Sequence, residues 1–275
     1  MTKKERLDKL LVDRKLTESR EKARRIIMAN MVMVDREKIT KAGTRCNIDS
    51  ELIIEKIDDR YVSRGGYKLA KALEVFNAEI KNKVAVDVGA STGGFTDCLL
   101  QNGARKVYCI DVGYGQLDWN LRNDNRIVNM EKTNIRHLNK EKFTARFDLA
   151  TIDVSFISLA KVLPVIKDIL KPGGEVFALV KPQFEAGKNK VKKGGIVSDP
   201  EVHREVIIGL IENLDREYQF QNITYSPIKN TPGNIEYIIY LIKNSRNGSL
   251  FYKDLINKTV TAAHHYFLKQ NNTSR

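Results

Sequence analysis

From Lys83 to Ile242 the chain alternates short, almost wholly apolar runs with longer stretches of helical apolar spacing. The apolar runs are Val84–Val88, Val107–Val112, Phe147–Asp153, Val176–Val180, Ile223–Tyr225 and Ile235–Ile242. Between or beside them, Tyr67–Phe76, Gly93–Leu100, Ser155–Leu170 and Glu201–Asp215 read as helices, and Leu250–Phe267 reads as an amphipathic tail helix. Pro172-Gly173-Gly174 supplies the stop for the third of these. Runs with no polar alternation suit strands buried on both faces. Helices between such strands are the crossovers of a doubly wound, mostly parallel α/β sheet. No internal repeat and no low-complexity stretch competes with that reading.

The remaining composition narrows the class. The 275 residues are enough for one large domain or two unequal ones, and 42% hydrophobic with 29% charged is a globular balance. No apolar run approaches the roughly 18 residues of a spanning helix. The amino terminus is charged with no apolar signal core, so a cytoplasmic location is expected. Cys46, Cys98 and Cys109 show no paired spacing, and His137, His203, His264 and His265 show no metal spacing; neither a disulfide framework nor a metal site is expected. Lys plus Arg number 47 against 34 Asp plus Glu, a net charge of +13. An excess of that size suits a polyanionic partner, because each neutralised phosphate releases condensed counterions.

Residues 1–58 have a pattern of their own. Leu7, Leu10 and Leu11 recur at helical spacing, Thr17 or Ser19 offers an N-cap, and Ala23, Ile26 and Ile27 mark a second helix. Two β-rich runs follow, Met31–Val34 and Leu52–Ile57. On the second helix Arg20 and Arg24 lie four apart, and Arg20 has no acidic residue three or four positions away. With Arg6 and Lys41 they are read as a phosphate-contacting surface. The segment RLDKLLVDRKLTESREKARRIIMANMVMVDREKITKAGTRC resembles the S4 RNA-binding domain. The resemblance implies an RNA surface formed by the two helices and the loop after the first strand, and includes Arg6, Arg20, Arg24 and Lys41. Residues 59–66 read as a linker, and the larger domain as 67–275.

The first strand of the larger domain ends in DVGASTGGFTD, Asp87 to Asp97. Glycines at 89, 93 and 94 sit where a strand turns into a helix, a place where backbone can approach a ligand. Ser91 stands where a dinucleotide turn wants its second glycine, so a pyrophosphate is disfavoured. Asp111 ends the next strand and suits ribose hydroxyls. Turn and carboxylate together fit an adenosine ligand without a pyrophosphate, with S-adenosylmethionine the best match. Lys68, Asp153, Lys181 and Glu236 are charges in apolar surroundings, and strand carboxyl ends face the crevice in this architecture. Glu236 opens its strand, so that strand runs the other way. Trp119 is read as packing. Lys188, Lys190, Lys192 and Lys193 form a loop beyond Lys181, either solvated or in contact with RNA.

Several segments resemble the FtsJ-like ribose methyltransferases: Ser63-Arg64-Gly65-Gly66-Tyr67-Lys68, Asp87 through Phe95, DVGYGQL from Asp111, Asp153 through Ser158, Val180 through Glu185, and Gly233 through Tyr237. With the S4-like module in front, nearly the whole chain is similar to the hemolysin A (TlyA) family. That resemblance implies a Rossmann-like class I fold with a seven-stranded, mostly parallel sheet and S-adenosylmethionine as cofactor. It also implies 2′-O-methylation of cytidine in ribosomal RNA or ribosomal subunits, with a tetrad of Lys68, Asp153, Lys181 and Glu236. Asp87, Gly89, Ser91, Gly93, Gly94, Phe95 and Asp111 fall to the cofactor. A ribose 2′-hydroxyl is a poor nucleophile until it loses its proton, and a lysine beside cationic groups can serve as the base. Lys181 is assigned that role, with Asp153 to orient it and Lys68 with Glu236 to place the ribose. The competing readings are an RNA-binding protein with an inactive methyltransferase domain, a small-molecule methyltransferase, and a cytolysin, which the family name alone suggests.

Overall fold

The computed structural model describes residues 4–28, 31–54, 60–138, 143, 146–214, 216–229, 233–244 and 251–273. The chain divides into two compact units, Met1–Arg60 and Tyr61–Arg275.

The first unit opens with β1 (Lys4–Arg6), α1 (Leu7–Asp13) and α2 (Arg20–Met28). Four short strands follow: β2 (Val32–Val34), β3 (Glu37–Lys38), β4 (Arg45–Asn47) and β5 (Leu52–Ile54). Ser19 starts α2, its hydroxyl accepting from the Lys22 amide at 3.1 Å. β1 pairs antiparallel with β4, and β3, β2 and β5 form a second antiparallel sheet. Leu7, Leu11 and Ile27 are fully buried between the two helices and Val32. β1 and β4 were not evident from the sequence, because three-residue strands carry too little periodicity. The end of the expected strand beyond Ile54 lies outside the described residues.

The second unit begins with α3 (Gly65–Phe76), β6 (Val84–Val88), α4 (Gly94–Gln101) and β7 (Lys106–Ile110). Next come α5 (Trp119–Arg122), β8 (Ile127–Met130), β9 (Phe147–Ile152), α6 (Leu163–Ile169) and β10 (Leu170–Val180). It ends with α7 (Pro182–Glu185), α8 (Pro200–Glu212), β11 (Tyr218–Tyr225), β12 (Tyr237–Lys243) and α9 (Tyr252–Thr273). The sheet has seven strands in the order β11-β12-β10-β9-β6-β7-β8. β12 pairs antiparallel with both neighbours and the remaining pairings are parallel. This is the expected doubly wound sheet, with β8 as a strand the apolar pattern did not mark.

Both sheet faces are covered. Leu69 and Leu73 of α3 pack with Phe95 and Leu99 of α4 on one side. Ile166 of α6, Ile207 of α8, and Ile256 and Val260 of α9 pack on the other. Each fully buried Leu, Val or Phe contributes on the order of 1.5–3 kcal/mol, so the central strands hold the frame on which the site is built. Strand order reverses at β6, whose neighbours are β7 on one side and β9 on the other. A crevice opens at the carboxyl ends of strands at such a switch point.

One expected helix is shorter than its apolar spacing suggests. Residues 155–158 form a loop, with Phe156 at a φ of 62°. The Ser158 hydroxyl then accepts from the Ala160 amide, and a single 3₁₀ turn leads into α6. A left-handed residue breaks the i→i−4 ladder, so Ser155–Leu170 cannot be one helix. β10 continues through Pro172-Gly173-Gly174 with an irregular register between Leu170 and Glu175. No helix among the described residues is long and apolar enough to cross a membrane.

Candidate active site

Asp153 follows β9, Lys181 follows β10, and Glu236 immediately precedes the antiparallel β12, so all three emerge at one edge of the sheet. Lys68, in the first turns of α3, meets them from above. The four form two short charge pairs. Lys68 Nζ lies 2.6 Å from Glu236 Oε2. Lys181 Nζ lies 2.6 Å from Asp153 Oδ1 and donates to Ser155 Oγ at 2.9 Å. Glu236 and Lys181 are buried. Glu236 Oε1 and Asp153 Oδ1 have no hydrogen-bond partner; the Lys181–Asp153 contact is electrostatic without hydrogen-bond alignment. Unfilled acceptors on buried carboxylates are costly unless a donor arrives.

Two adjoining cavities open beside this cluster. One, about 230 Å³, is lined by Ser63, Arg64, Lys68, Phe95 and Asp153 among others. The second, about 420 Å³, includes Ile110, Asp111, Ile135, Asp153 and Phe156. They share Gly89, Ser91 and Asp153. Asp111 Oδ2 accepts from the Ser91 amide at 2.8 Å and Oδ1 from the Gly113 amide at 2.7 Å. The carboxylate is thereby fixed at the end of β7 with its remaining lone pairs toward partly exposed surroundings.

The glycine turn is shaped by packing within the protein. Gly89 and Gly93 have φ of 82° and 96°. A Cβ on Gly89 would sit under 3.0 Å from the Asp153 carbonyl; one on Gly93 would meet Leu121 and Leu117; one on Gly94 would meet Ser63 and Gly66. These glycines therefore have a packing role beside any approach to a ligand: they let the β6–α4 turn close against the Asp153 backbone, α5 and the start of α3. Gly93 lines neither cavity, whereas Gly89 and Gly94 line the smaller one.

Asp87 also lies behind the turn. It is fully buried, and its oxygens accept from Thr96 Oγ1 at 2.6 Å and Thr151 Oγ1 at 2.8 Å. Burial pushes its pKa up to about 6, against the two hydroxyls that favour the charged form. It contacts neither cavity, so any action on a ligand is through its field.

Residues the sequence did not single out complete the mouth of the site. Glu185 of α7 accepts from the Ser158 hydroxyl at 2.6 Å and the Leu159 amide at 2.8 Å, tying the Lys181 side of the crevice to the Asp153 loop. The Phe156 ring is 91% exposed and packs 4.9 Å from Phe184. Their signal was the DVSF and KPQFE runs themselves, where apolar residues adjoin the catalytic candidates. Trp119 is 75% exposed, which overturns its reading as packing. The three cysteines are buried and unpaired. His203 is buried between Tyr237 and the Val197 carbonyl, and no metal-binding cluster occurs among the described residues. Lys190, Lys192 and Lys193 lie in a loop after α7 that is secured by Asn234, which bonds Val197 and Gly195; nothing is described of the Lys188 side chain.

In the amino-terminal unit the expected basic residues converge, but not as unpaired cations. Asp8, fully buried, accepts from Arg6 at 3.0 and 3.1 Å, Arg20 at 2.9 Å and Arg24 at 3.2 Å. The α1–α2 packing brings together residues 12 and 16 positions apart, beyond any i,i+4 count. The three guanidiniums remain about half exposed. Lys41 is exposed on the loop whose Ala42 carbonyl accepts from the Asp8 amide at 3.1 Å.

Comparison with known proteins matches these features. Residues 61–243 fit the FtsJ-like methyltransferase family model and residues 5–52 the S4 domain. The Bacillus subtilis protein YqxC, named as a candidate rRNA methyltransferase, is 50% identical over 87% of this chain and 86% of its own length. The Mycobacterium tuberculosis 16S/23S rRNA (cytidine-2′-O)-methyltransferase TlyA is 40% identical over 88% of this chain and 91% of its own. A solved structure of a candidate hemolysin from Streptococcus thermophilus, 41% identical, superposes with a TM-score of 0.79, covering 99% of this chain and all of that one, 100%. The chain belongs to the FtsJ-like methyltransferase family, with an S4 domain ahead of its methyltransferase domain.

Proposed function

We propose that the protein methylates the ribose 2′-hydroxyl of a cytidine in ribosomal RNA, with S-adenosylmethionine as methyl donor. The observation that carries the reading is the pair of lysine–carboxylate contacts at the mouth of the joined cavities. The larger cavity, with Asp111 on its wall, suits an adenosine moiety; the smaller one, ending at Lys68 and Asp153, suits the amino-acid arm. When bound, the cofactor supplies an electrophilic methyl on a sulfonium.

In this reading Lys181 Nζ, acting as the base, takes the proton of the 2′-hydroxyl; the bound cofactor would supply the methyl to that oxygen, its carbon–sulfur bond breaking to leave a neutral thioether. Asp153 and Ser155 occupy two directions around Nζ, leaving the third for the hydroxyl. Lys68 and Glu236 hold the ribose, and the unfilled Glu236 Oε1 is an acceptor for one of its hydroxyls. Alignment of hydroxyl and methyl supplies much of the rate. The proton on Lys181 passes to solvent before the next turnover. Arg6, Arg20, Arg24 and Lys41 contact RNA phosphate from the S4 domain, as a basic face on a soluble ribosome-directed enzyme would.

The test uses methyl-labelled S-adenosylmethionine with separated 30S subunits, 50S subunits and naked ribosomal RNA, followed by mapping of the label. Label on a cytidine 2′-oxygen is expected. Label on a base, or none on any RNA while cofactor binds, overturns the reading.

A further inference from the structure

At the sheet edge next to the smaller cavity, two lysines rest on one aromatic shelf. Lys71 lies one turn beyond Lys68 on α3, and its Nζ sits 3.2 Å from the Tyr225 ring centroid and 5.6 Å from that of Tyr266. Lys229, four residues past β11, lines the cavity and places its Nζ 5.0 Å from the Phe267 ring. The rings support one another: Tyr266 to Phe267 is 4.9 Å, Tyr225 to Tyr266 is 5.5 Å, and Tyr225 to Phe267 is 6.4 Å. The shelf thus joins the end of β11 to the C-terminal helix α9.

These cations differ from the other lysines of the site. Lys68 lies against the Glu236 carboxylate and Lys181 against that of Asp153. Lys71 and Lys229 have no carboxylate within ion-pair distance among the described residues. Burial lowers Lys71 to about 8 and Glu74 draws it back up, so it is still charged at neutral pH. A ring face attracts an ammonium but takes up none of its N–H donors in a strong hydrogen bond. Both side chains are therefore held in place with donors to spare.

We propose that Lys71 and Lys229 form a phosphate track that guides the single-stranded RNA next to the target nucleotide toward the Lys68–Glu236 pair at the end of the smaller cavity, with α9 as its backing. A phosphate oxygen completes each ammonium's hydrogen bonding without displacing a protein partner. The sugar–phosphate chain must pass close to the charge pairs at which one of its own riboses reacts. Packing by Tyr225 and Phe267 limits the entropy lost when the lysines engage. The inference rests on the ribosomal RNA reading above.

The test compares the full chain with Lys71→Ala, Lys229→Ala and the double variant, using a ribosomal RNA substrate that the wild type methylates. The double variant is expected to raise KM for RNA roughly tenfold at moderate salt, with the loss in KM rather than kcat. Each substitution should reduce the slope of log affinity against log salt by about one. Lys→Arg at both positions should restore most of the affinity, since charge and ring contact are kept. Phe267→Leu, which keeps the packing but removes the ring face, should weaken RNA binding while α9 stays folded by circular dichroism. Unchanged RNA affinity and salt slope in the double variant, with only a lowered melting temperature, would assign both lysines to packing and overturn the proposal. Absence of RNA methylation by the wild type would instead strike the reading beneath it, so the two failures are separable.

Discussion

Asp87→Asn removes one buried charge and alters little else. The carboxylate has no exposed surface, and its two oxygens accept from the hydroxyls of Thr96 and Thr151. Burial moves its pKa from 3.8 to about 6. A rise of about two units, at ~1.4 kcal/mol per unit, corresponds to about 3 kcal/mol. Between those values the folded protein binds the proton more readily than the unfolded chain. Wild-type stability from this group is therefore greatest below about pH 4 and declines by that amount as pH rises through about 6. Asparagine has no charge to bury at any pH and lacks the decline. Its amide nitrogen cannot accept, so one threonine hydroxyl loses its acceptor at a cost of about 1 kcal/mol. The variant should be about 1 kcal/mol less stable than wild type near pH 4 and about 2 kcal/mol more stable at pH 7.5. His203, which burial lowers to about 4, tilts both curves the opposite way and cancels in the difference. Urea unfolding followed by far-ultraviolet circular dichroism from pH 4 to 8 measures this. A difference that stays constant with pH would refute the assignment of the buried charge to Asp87. The same variant should bind S-adenosylmethionine more weakly, because the negative field behind the glycine turn is lost; calorimetry at pH 7.5 reads that out.

Three other outcomes are expected. Lys181→Arg should abolish methyl transfer while cofactor and RNA still bind, since a guanidinium does not give up its proton to act as base; near-normal turnover would move the base to Lys68. Gly93→Ala should cost on the order of 1–2 kcal/mol from its left-handed backbone, and more from Leu117 and Leu121; an unchanged melting temperature would contradict the packing found there. Asp8→Asn adds positive charge to the S4 domain yet should weaken RNA binding, because Arg6, Arg20 and Arg24 lose the anchor that gathers them. Those guanidiniums, Arg6 foremost, hold the Asp8 carboxyl well below the usual range, so its contribution to folding is present above about pH 4 and is lost as pH falls further. Tighter RNA binding by the variant would show that net charge alone decides.

The legible part of this chain was what local pattern encodes. The apolar runs of β6, β9 and β10 are buried on both faces, so their ends, and with them Asp153 and Lys181, were marked by where the run stops. Glu236 was legible for the mirror-image reason, standing just ahead of the Tyr237–Lys243 run. What was not legible depends on tertiary proximity. Nothing within four positions of Arg20 reveals Asp8, and nothing in DVGASTGG reveals that Leu121 and the Asp153 carbonyl occupy the space a Cβ would need. β8 is short and only partly buried, so Ile127–Met130 lacked the unbroken apolar signal of its neighbours. Phe156 belongs to an apolar spacing that favours helix, and its left-handed backbone cannot be inferred from that spacing.

The contact between Lys68 and Glu236 closes a span of 168 positions, and Glu236 immediately precedes β12, the strand inserted between β10 and the edge strand β11. During synthesis the chain therefore emerges with its S4 domain, its glycine turn and three quarters of its sheet in place long before the last charge of the cluster exists. β11 has no partner in the sheet until β12 slides in beside it, so the same event that closes the sheet delivers the carboxylate. On the function proposed above, competence arrives at a single late step, and a chain cut short between the S4 domain and Glu236 would keep its basic face without the means to modify RNA.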